Sequence, residues 1–156
     1  MDYQFSSESE NKSISKKRET EAFNQKPTPA FIGASWIALG TGMIAFCIGL
    51  LNATMELNEK GYYFTILLFG LFSAVSVQKN VRDKLEGLKV TEIYYGISWF
   101  AALASVTLLI IGLWNADLEL SEKGFYSMSF ILSLFSAIAV QKNTRDKKFI
   151  ENLEDK

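Results

Sequence analysis

Four uncharged stretches divide the chain: 29 residues from Pro27 to Met55, 18 from Gly61 to Gln78, 24 from Ile93 to Ala116 and 18 from Gly124 to Gln141. Charges gather in short islands between them. A hydrocarbon core about 30 Å thick takes about 20 helical residues, with about 17 as the lower limit, so each stretch can cross a membrane. A soluble four-helix bundle would instead need a polar face on every helix, recurring at helical spacing. Phe31 to Leu51 offers only Ser35, Trp36, Thr41 and Cys47 as partly polar positions, which argues against that arrangement. The pattern predicts an all-α membrane protein with four transmembrane helices, at about residues 30–53, 60–84, 92–115 and 122–147. The second and fourth stretches are short, so Lys79 and Lys142 are expected to snorkel to the interface.

Shifting the chain by 63 residues against itself aligns Ile48 to Lys84 with Ile111 to Lys147 without a gap, at about 22 identities in 37 positions. Shared hydrophobicity alone does not produce this, because the matches include polar residues. Asn52-Ala-Thr-Met-Glu-Leu-Asn-Glu-Lys-Gly-Tyr-Tyr63 matches Asn115-Ala-Asp-Leu-Glu-Leu-Ser-Glu-Lys-Gly-Phe-Tyr126, and Val77-Gln-Lys-Asn-Val-Arg-Asp-Lys84 matches Val140-Gln-Lys-Asn-Thr-Arg-Asp-Lys147. The first helices echo each other more weakly, through Gly33-Ala-Ser-Trp36 and Gly96-Ile-Ser-Trp99. The expected organisation is a polar tail over 1–28, a two-helix repeat over 29–86, a second over 92–148 and a C-terminal tail over 149–156.

Each repeat crosses twice, so both copies enter the membrane in the same direction and form a parallel repeat. The tail, the central loop and the end carry most of the Lys and Arg, whereas the two short loops hold one lysine each, Lys60 and Lys123, outnumbered by acids. The positive-inside rule therefore places both termini and the central loop in the cytoplasm.

Charge and composition narrow the functions. A net charge of -1 leaves no basic surface for nucleic acid once the membrane-proximal lysines are set aside. The single cysteine, Cys47, has no partner for an intramolecular disulfide and reads as a small apolar filler. The first 26 residues are too polar to fold alone and read as a flexible tail. Thr28 caps the first helix there, and Pro29 suits its first turn. The apolar run after this tail has no small-x-small cleavage site, so a cleaved signal peptide is not expected. With no histidine, no activated nucleophile, no phosphate loop and no metal-ligand cluster, the sequence assigns no enzyme activity and no cofactor.

Two repeated polar motifs remain as candidate sites. The outer-loop motif comprises Asn52, Glu56, Glu59, Lys60 and Gly61, with Asn115, Glu119, Glu122, Lys123 and Gly124. It reads in two ways. Asn58 or Ser121 caps the following helix, the glutamate sits in its first turn, Leu57 or Leu120 staples to Tyr62 or Phe125, and the glycines allow close backbone approach. Alternatively, carboxylates from the two repeats bind a cation or a lipid amine. The second motif comprises Gln78, Lys79, Arg82 and Asp83, with Gln141, Lys142, Arg145 and Asp146. It reads as a helix end with i,i+4 ion pairs whose basic residues meet anionic lipid headgroups. Tyr62, Tyr63, Phe125 and Tyr126, with Trp36, Trp99 and Trp114, are expected in an interfacial belt. Small residues four apart, Ala38 with Gly42, Ala45 with Gly49, Gly70 with Ala74 and Ser133 with Ala137, are expected where helices approach closely, within the chain or between two copies.

The blocks Asn-Ala-x-x-Glu-Leu-x-Glu-Lys-Gly-[Tyr/Phe]-Tyr and Leu-Phe-Ser-Ala-x-x-Val-Gln-Lys-x-x-Arg-Asp, each present twice, resemble those of the YiaA/YiaB inner-membrane proteins. The likeness runs over about residues 30 to 147, in the form that carries the two-helix domain twice. It implies a bacterial inner (plasma) membrane location and no assigned biochemical activity, and it carries over no catalytic residues. Two functional classes are then open. One is a non-enzymatic component contacting membrane lipids, a second copy or another membrane protein, in envelope maintenance or stress adaptation. The other is a small transporter or channel, with a polar path along Ser73, Ser76, Ser133 and Ser136 joined by Gln78 and Gln141. The absence of charge inside the spans favours the first.

Overall fold

A computed structural model describes residues 26–154, and the expected tail falls almost wholly outside them. The described residues form four helices: α1 (Pro29–Asn52), α2 (Leu57–Leu85), α3 (Glu92–Asn115) and α4 (Leu120–Glu154). All four are long and apolar enough to cross a membrane.

Local chemistry sets most of the ends. Thr28 Oγ1 accepts from the Phe31 N–H at 3.2 Å, and Pro29 takes the first helical position, where its missing N–H costs nothing. At the other end of α1 the Asn52 amide donates to the Ile48 carbonyl at 2.9 Å, as Asn115 does to Ile111 at 2.8 Å in α3. Helix α2 stops at a left-handed glycine, Gly87 with φ 76°, where the Leu88 N–H returns to the Asp83 carbonyl at 2.9 Å.

Helices α2 and α4 begin earlier than the loop chemistry suggested. The Glu56 N–H donates to Glu59 Oε2 at 2.9 Å, and the Glu119 N–H to Glu122 Oε2 at the same distance. The glutamate reaching back closes the first turn. Asn58 and Ser121 therefore lie inside the helices and are not their caps. Leu57 and Leu120, each 86% exposed, staple nothing, and a Cβ at Gly61 or Gly124 would meet open space, so neither glycine permits a close approach. The late ends differ as well. Helix α2 spans 29 residues and α4 35 residues. At about 1.5 Å per residue both exceed a hydrocarbon core about 30 Å thick and carry their charged ends beyond it. Residues 149–154, expected in a tail, continue α4, and Ile150 is buried.

Packing exchanges the repeats. Helix α1 packs chiefly on α4 and α3 chiefly on α2, while α2 and α4 meet in the centre and α1 barely touches its own repeat's α2. Each repeat thus offers its first helix to the other's second. The interior is unusual for its polarity: Ser35, Ser73, Ser98, Ser105, Ser129, Ser133, Asn80 and Asn143 are buried, while Ile37, Leu51, Phe72, Phe100 and Phe135 are at least two-thirds exposed. Water would not tolerate that apolar exterior. Lipid does, and small polar residues inside then let helices approach closely. Most of the buried hydroxyls donate to carbonyls of their own helices, as Ser133 does to Ser129 at 2.7 Å and Ser105 to Ala102 at 2.8 Å.

Three sets of contacts define the close approach. A Cβ on Gly42 of α1 would lie 2.6 Å from Ser133 Oγ and 2.9 Å from the Ser133 backbone nitrogen of α4. One on Gly70 of α2 would meet the Phe130 ring of α4 at 2.7 Å. Gly49 of α1 lies beneath the Phe125 and Tyr126 rings of α4, and its repeat equivalent Gly112 lies beneath Tyr62 and Tyr63 of α2. Between these contacts sits a core of Phe46, Leu50, Tyr63, Ile66, Leu67, Leu109, Leu113, Tyr126 and Phe130, with Cys47 packed against it. Tyr63 and Tyr126 stack at 6.0 Å, one from each repeat. They belong to this core, each 3% exposed, and not to the interfacial belt expected for them. Trp36, Trp99 and Trp114 do remain on the outer surface.

Candidate functional sites at the two ends of the bundle

At the acidic end two clefts repeat each other. One, of about 290 Å³, is lined by Asn58, Glu59, Tyr62, Tyr63, Gly112, Asn115 and Ala116. The other, of about 320 Å³, is lined by Ser121, Glu122, Phe125, Tyr126, Gly49, Asn52 and Ala53. Every residue of the first has its counterpart, 63 positions away, in the second. The motif that is continuous in sequence is therefore divided in space. Asn52 joins Glu122, and Asn115 joins Glu59, because the helix exchange places the end of each first helix beside the start of the other repeat's second. Both glutamates spend one carboxylate oxygen on the helix start. Lys60 donates to the Leu51 carbonyl at 3.2 Å, where a cation suits the negative end of α1. Glu56, Glu119, Gly61, Lys123 and Gly124 line neither cleft. Among the described residues no group of three or more His, Cys, Asp or Glu is placed to hold a metal ion.

The basic end brings the repeats together. A groove of about 620 Å³ runs between α2, α3 and α4, with Ala74, Val77, Val81, Leu85, Trp99, Ala102 and Ile138 as its apolar wall and Gln78, Arg82, Lys142 and Arg145 at its polar rim. Each arginine is held by the aspartate that follows it, Arg82 Nη2 to Asp83 at 2.9 Å and Arg145 Nη2 to Asp146 at 2.9 Å. Both also face one carboxylate oxygen, Glu86 Oε1, at 3.4 Å from Arg82 Nε and 3.5 Å from Arg145 Nη1. Of the two expected i,i+4 pairs, Lys79 meets Asp83 at 3.4 Å, and the Lys142–Asp146 pair does not form. Gln141 lies outside the groove, and the amide oxygens of both Gln78 and Gln141 are buried without a hydrogen-bond donor among the described residues.

The serines proposed for a polar path are closed. Ser73, Ser76, Ser133 and Ser136 are at most 6% exposed, and Ser73 and Ser133 donate to carbonyls of their own helices. Ser136 Oγ is buried with no hydrogen-bond partner among the described residues.

Sequence reasoning passed over Asn80 and Asn143. Both are almost wholly buried, and they cross the repeats as a matched pair: Asn80 Nδ2 donates to Ser98 Oγ at 2.7 Å, and Asn143 Nδ2 to Ser35 Oγ at 3.1 Å. Their signal was present, since Asn recurs in both exit motifs and Ser in both Gly-x-Ser-Trp blocks.

These features define a multi-pass membrane protein built from a duplicated two-helix unit. The family model described as the yiaA/B two helix domain matches twice, at residues 31–83 and 94–146, and the chain belongs to that family. It is 60% identical over 119 residues to Inner membrane protein YiaA of Escherichia coli (strain K12), covering 76% of this chain and 82% of that protein. It is 36% identical over 67 residues to Uncharacterized membrane protein YubF of Bacillus subtilis (strain 168), covering 42% of this chain and 77% of that one. No solved structure matches the chain.

Proposed function

We propose that the chain is a non-catalytic component of the bacterial inner membrane, with its basic end in the cytoplasm, that acts through contacts made by its two polar ends in maintaining the envelope. The observation that carries this reading is the exchange itself. It gathers the repeated polar residues into clefts at one end and a groove at the other, while the buried polar groups between them serve helix packing. The name of the 60% identical relative supports the location, and the concentration of Lys and Arg at one end supports the orientation. The burial of all four path serines, with Ser73 and Ser133 bonded to their own helices, weighs against a transport path.

Crosslinking tests it. Glu59→Cys and Glu122→Cys variants, in a Cys47→Ala background and in intact membranes, are expected to capture a protein partner or a second copy. A chain that stays monomeric, captures nothing and purifies with no retained lipid overturns the reading.

A further inference from the structure

We infer that the groove at the basic end is a binding site for one anionic glycerophospholipid, its phosphate held between Arg82 and Arg145 and an acyl chain lying along the apolar wall. This deepens the reading above and rests on it for the membrane setting.

Geometry sets the anion position. Arg82 and Arg145 are one residue duplicated, brought from opposite repeats to face a single oxygen, Glu86 Oε1. Their contacts to it, at 3.4 and 3.5 Å, are long for charge-assisted bonds, which settle near 2.7–2.9 Å. Glu86 thus marks where an anion belongs without filling the place well. Arg82 Nε is buried and, among the described residues, makes no hydrogen bond, meeting Glu86 only across that long contact. Lys142 adds a cation at the same rim that no carboxylate among the described residues pairs, unlike its counterpart Lys79.

Below the rim the wall is apolar, and about 620 Å³ falls in the range of about 300–1,000 Å³ usual for ligand sites. A free anion has no use for such a wall. A phospholipid uses both parts, because its chain is apolar and its phosphate accepts from paired guanidinium groups.

The test is native mass spectrometry of the full chain, released from detergent after incubation with phosphatidylglycerol and phosphatidylcholine of matched chains. The wild type is expected to retain one phosphatidylglycerol in preference to phosphatidylcholine. In Arg82→Gln/Arg145→Gln that preference falls about tenfold or more. Lys79→Gln/Lys148→Gln, which removes two charges from the same end outside the groove, leaves it within about twofold. Glu86→Gln, which keeps both arginines and needs no refolded pair, raises retention. Equal preference in the arginine variant and the wild type, or an equal loss in the lysine control, overturns the site. Displacement of the lipid by millimolar inorganic phosphate overturns the lipid assignment. Failure here leaves the crosslinking result intact, so the two readings fall separately.

Discussion

Replacing Gly42 by alanine tests the packing on which the fold depends. A Cβ there would sit 2.6 Å from Ser133 Oγ, 2.9 Å from the Ser133 nitrogen and 3.1 Å from the Ser129 carbonyl oxygen. Two of these three are backbone atoms, so a rotamer change cannot relieve the clash and α1 must move away from α4. Overpacking of this kind costs about 1–3 kcal/mol, and the better helix propensity of alanine offsets up to about 1 kcal/mol. With that offset the expected net loss is about 0–2 kcal/mol. Gly40, two residues earlier, has nothing within 4 Å of its would-be Cβ. The same substitution there keeps only the propensity gain and stabilises by up to about 1 kcal/mol. Denaturant unfolding in one fixed detergent, followed by circular dichroism, compares the two. Adding Ser133→Gly to Gly42→Ala should restore part of the loss, since the hydroxyl contact goes and the amide contact stays. A Gly42→Ala protein as stable as Gly40→Ala would refute the close approach of α1 and α4.

Other outcomes follow from the exchange. A double-mutant cycle of Asn80→Ala and Ser98→Ala should give a coupling of about 0.5–1.5 kcal/mol in detergent unfolding, and a cycle of Asn143→Ala with Ser98→Ala almost none. A chain cut between Gly87 and Leu88 and expressed as two halves, one tagged, should yield both halves on purification; recovery of the tagged half alone would contradict the pairing of α1 with α4 and α3 with α2. Glu59→Ala and Glu122→Ala should each lower stability by about 0.5–1 kcal/mol through the lost helix start. Their effects should add within about 0.5 kcal/mol, because the clefts are separate, and clear non-additivity would argue against that separation.

The spans were legible because the bilayer imposes a length and a chemistry that uncharged runs declare directly. The duplication was legible because polar residues recur at one fixed offset. Which helix pairs with which was not. Gly42, Gly70 and Ser133 announce close approach by their size, yet nothing local says that Gly42 meets Ser133 on the far repeat. The same blindness hid the sites, since a motif read along one repeat, Asn52 through Glu59, is distributed between two clefts. The helix starts were misplaced for another reason. Asn58 and Ser121 are good caps by residue type, but the carboxylates of Glu59 and Glu122 reach back to the N–H groups of Glu56 and Glu119 and start each helix two residues earlier. Tyr63 and Tyr126 were assigned to the surface by their position near helix ends, and the glycines at 49 and 112 make room for them inside.

Two identical one-repeat chains meeting by the same exchange would be bound by symmetry: any residue at the axis would be present twice, and the two helix contacts would be alike. Joining the repeats lifts that constraint. One contact here has Gly42 with Ser133 and the ring pair Phe46 and Phe130, whereas the corresponding positions on the other side are Ser105, Gly70, Leu109 and Leu67. Glu86 faces both duplicated arginines, and its counterpart is Phe149. A symmetric pair would place two such carboxylates against the same two guanidinium groups, each of which already holds its own aspartate. Fusion leaves a single acid, Glu86, shared between two arginines from opposite repeats, and it grips neither as closely as that arginine's own aspartate does.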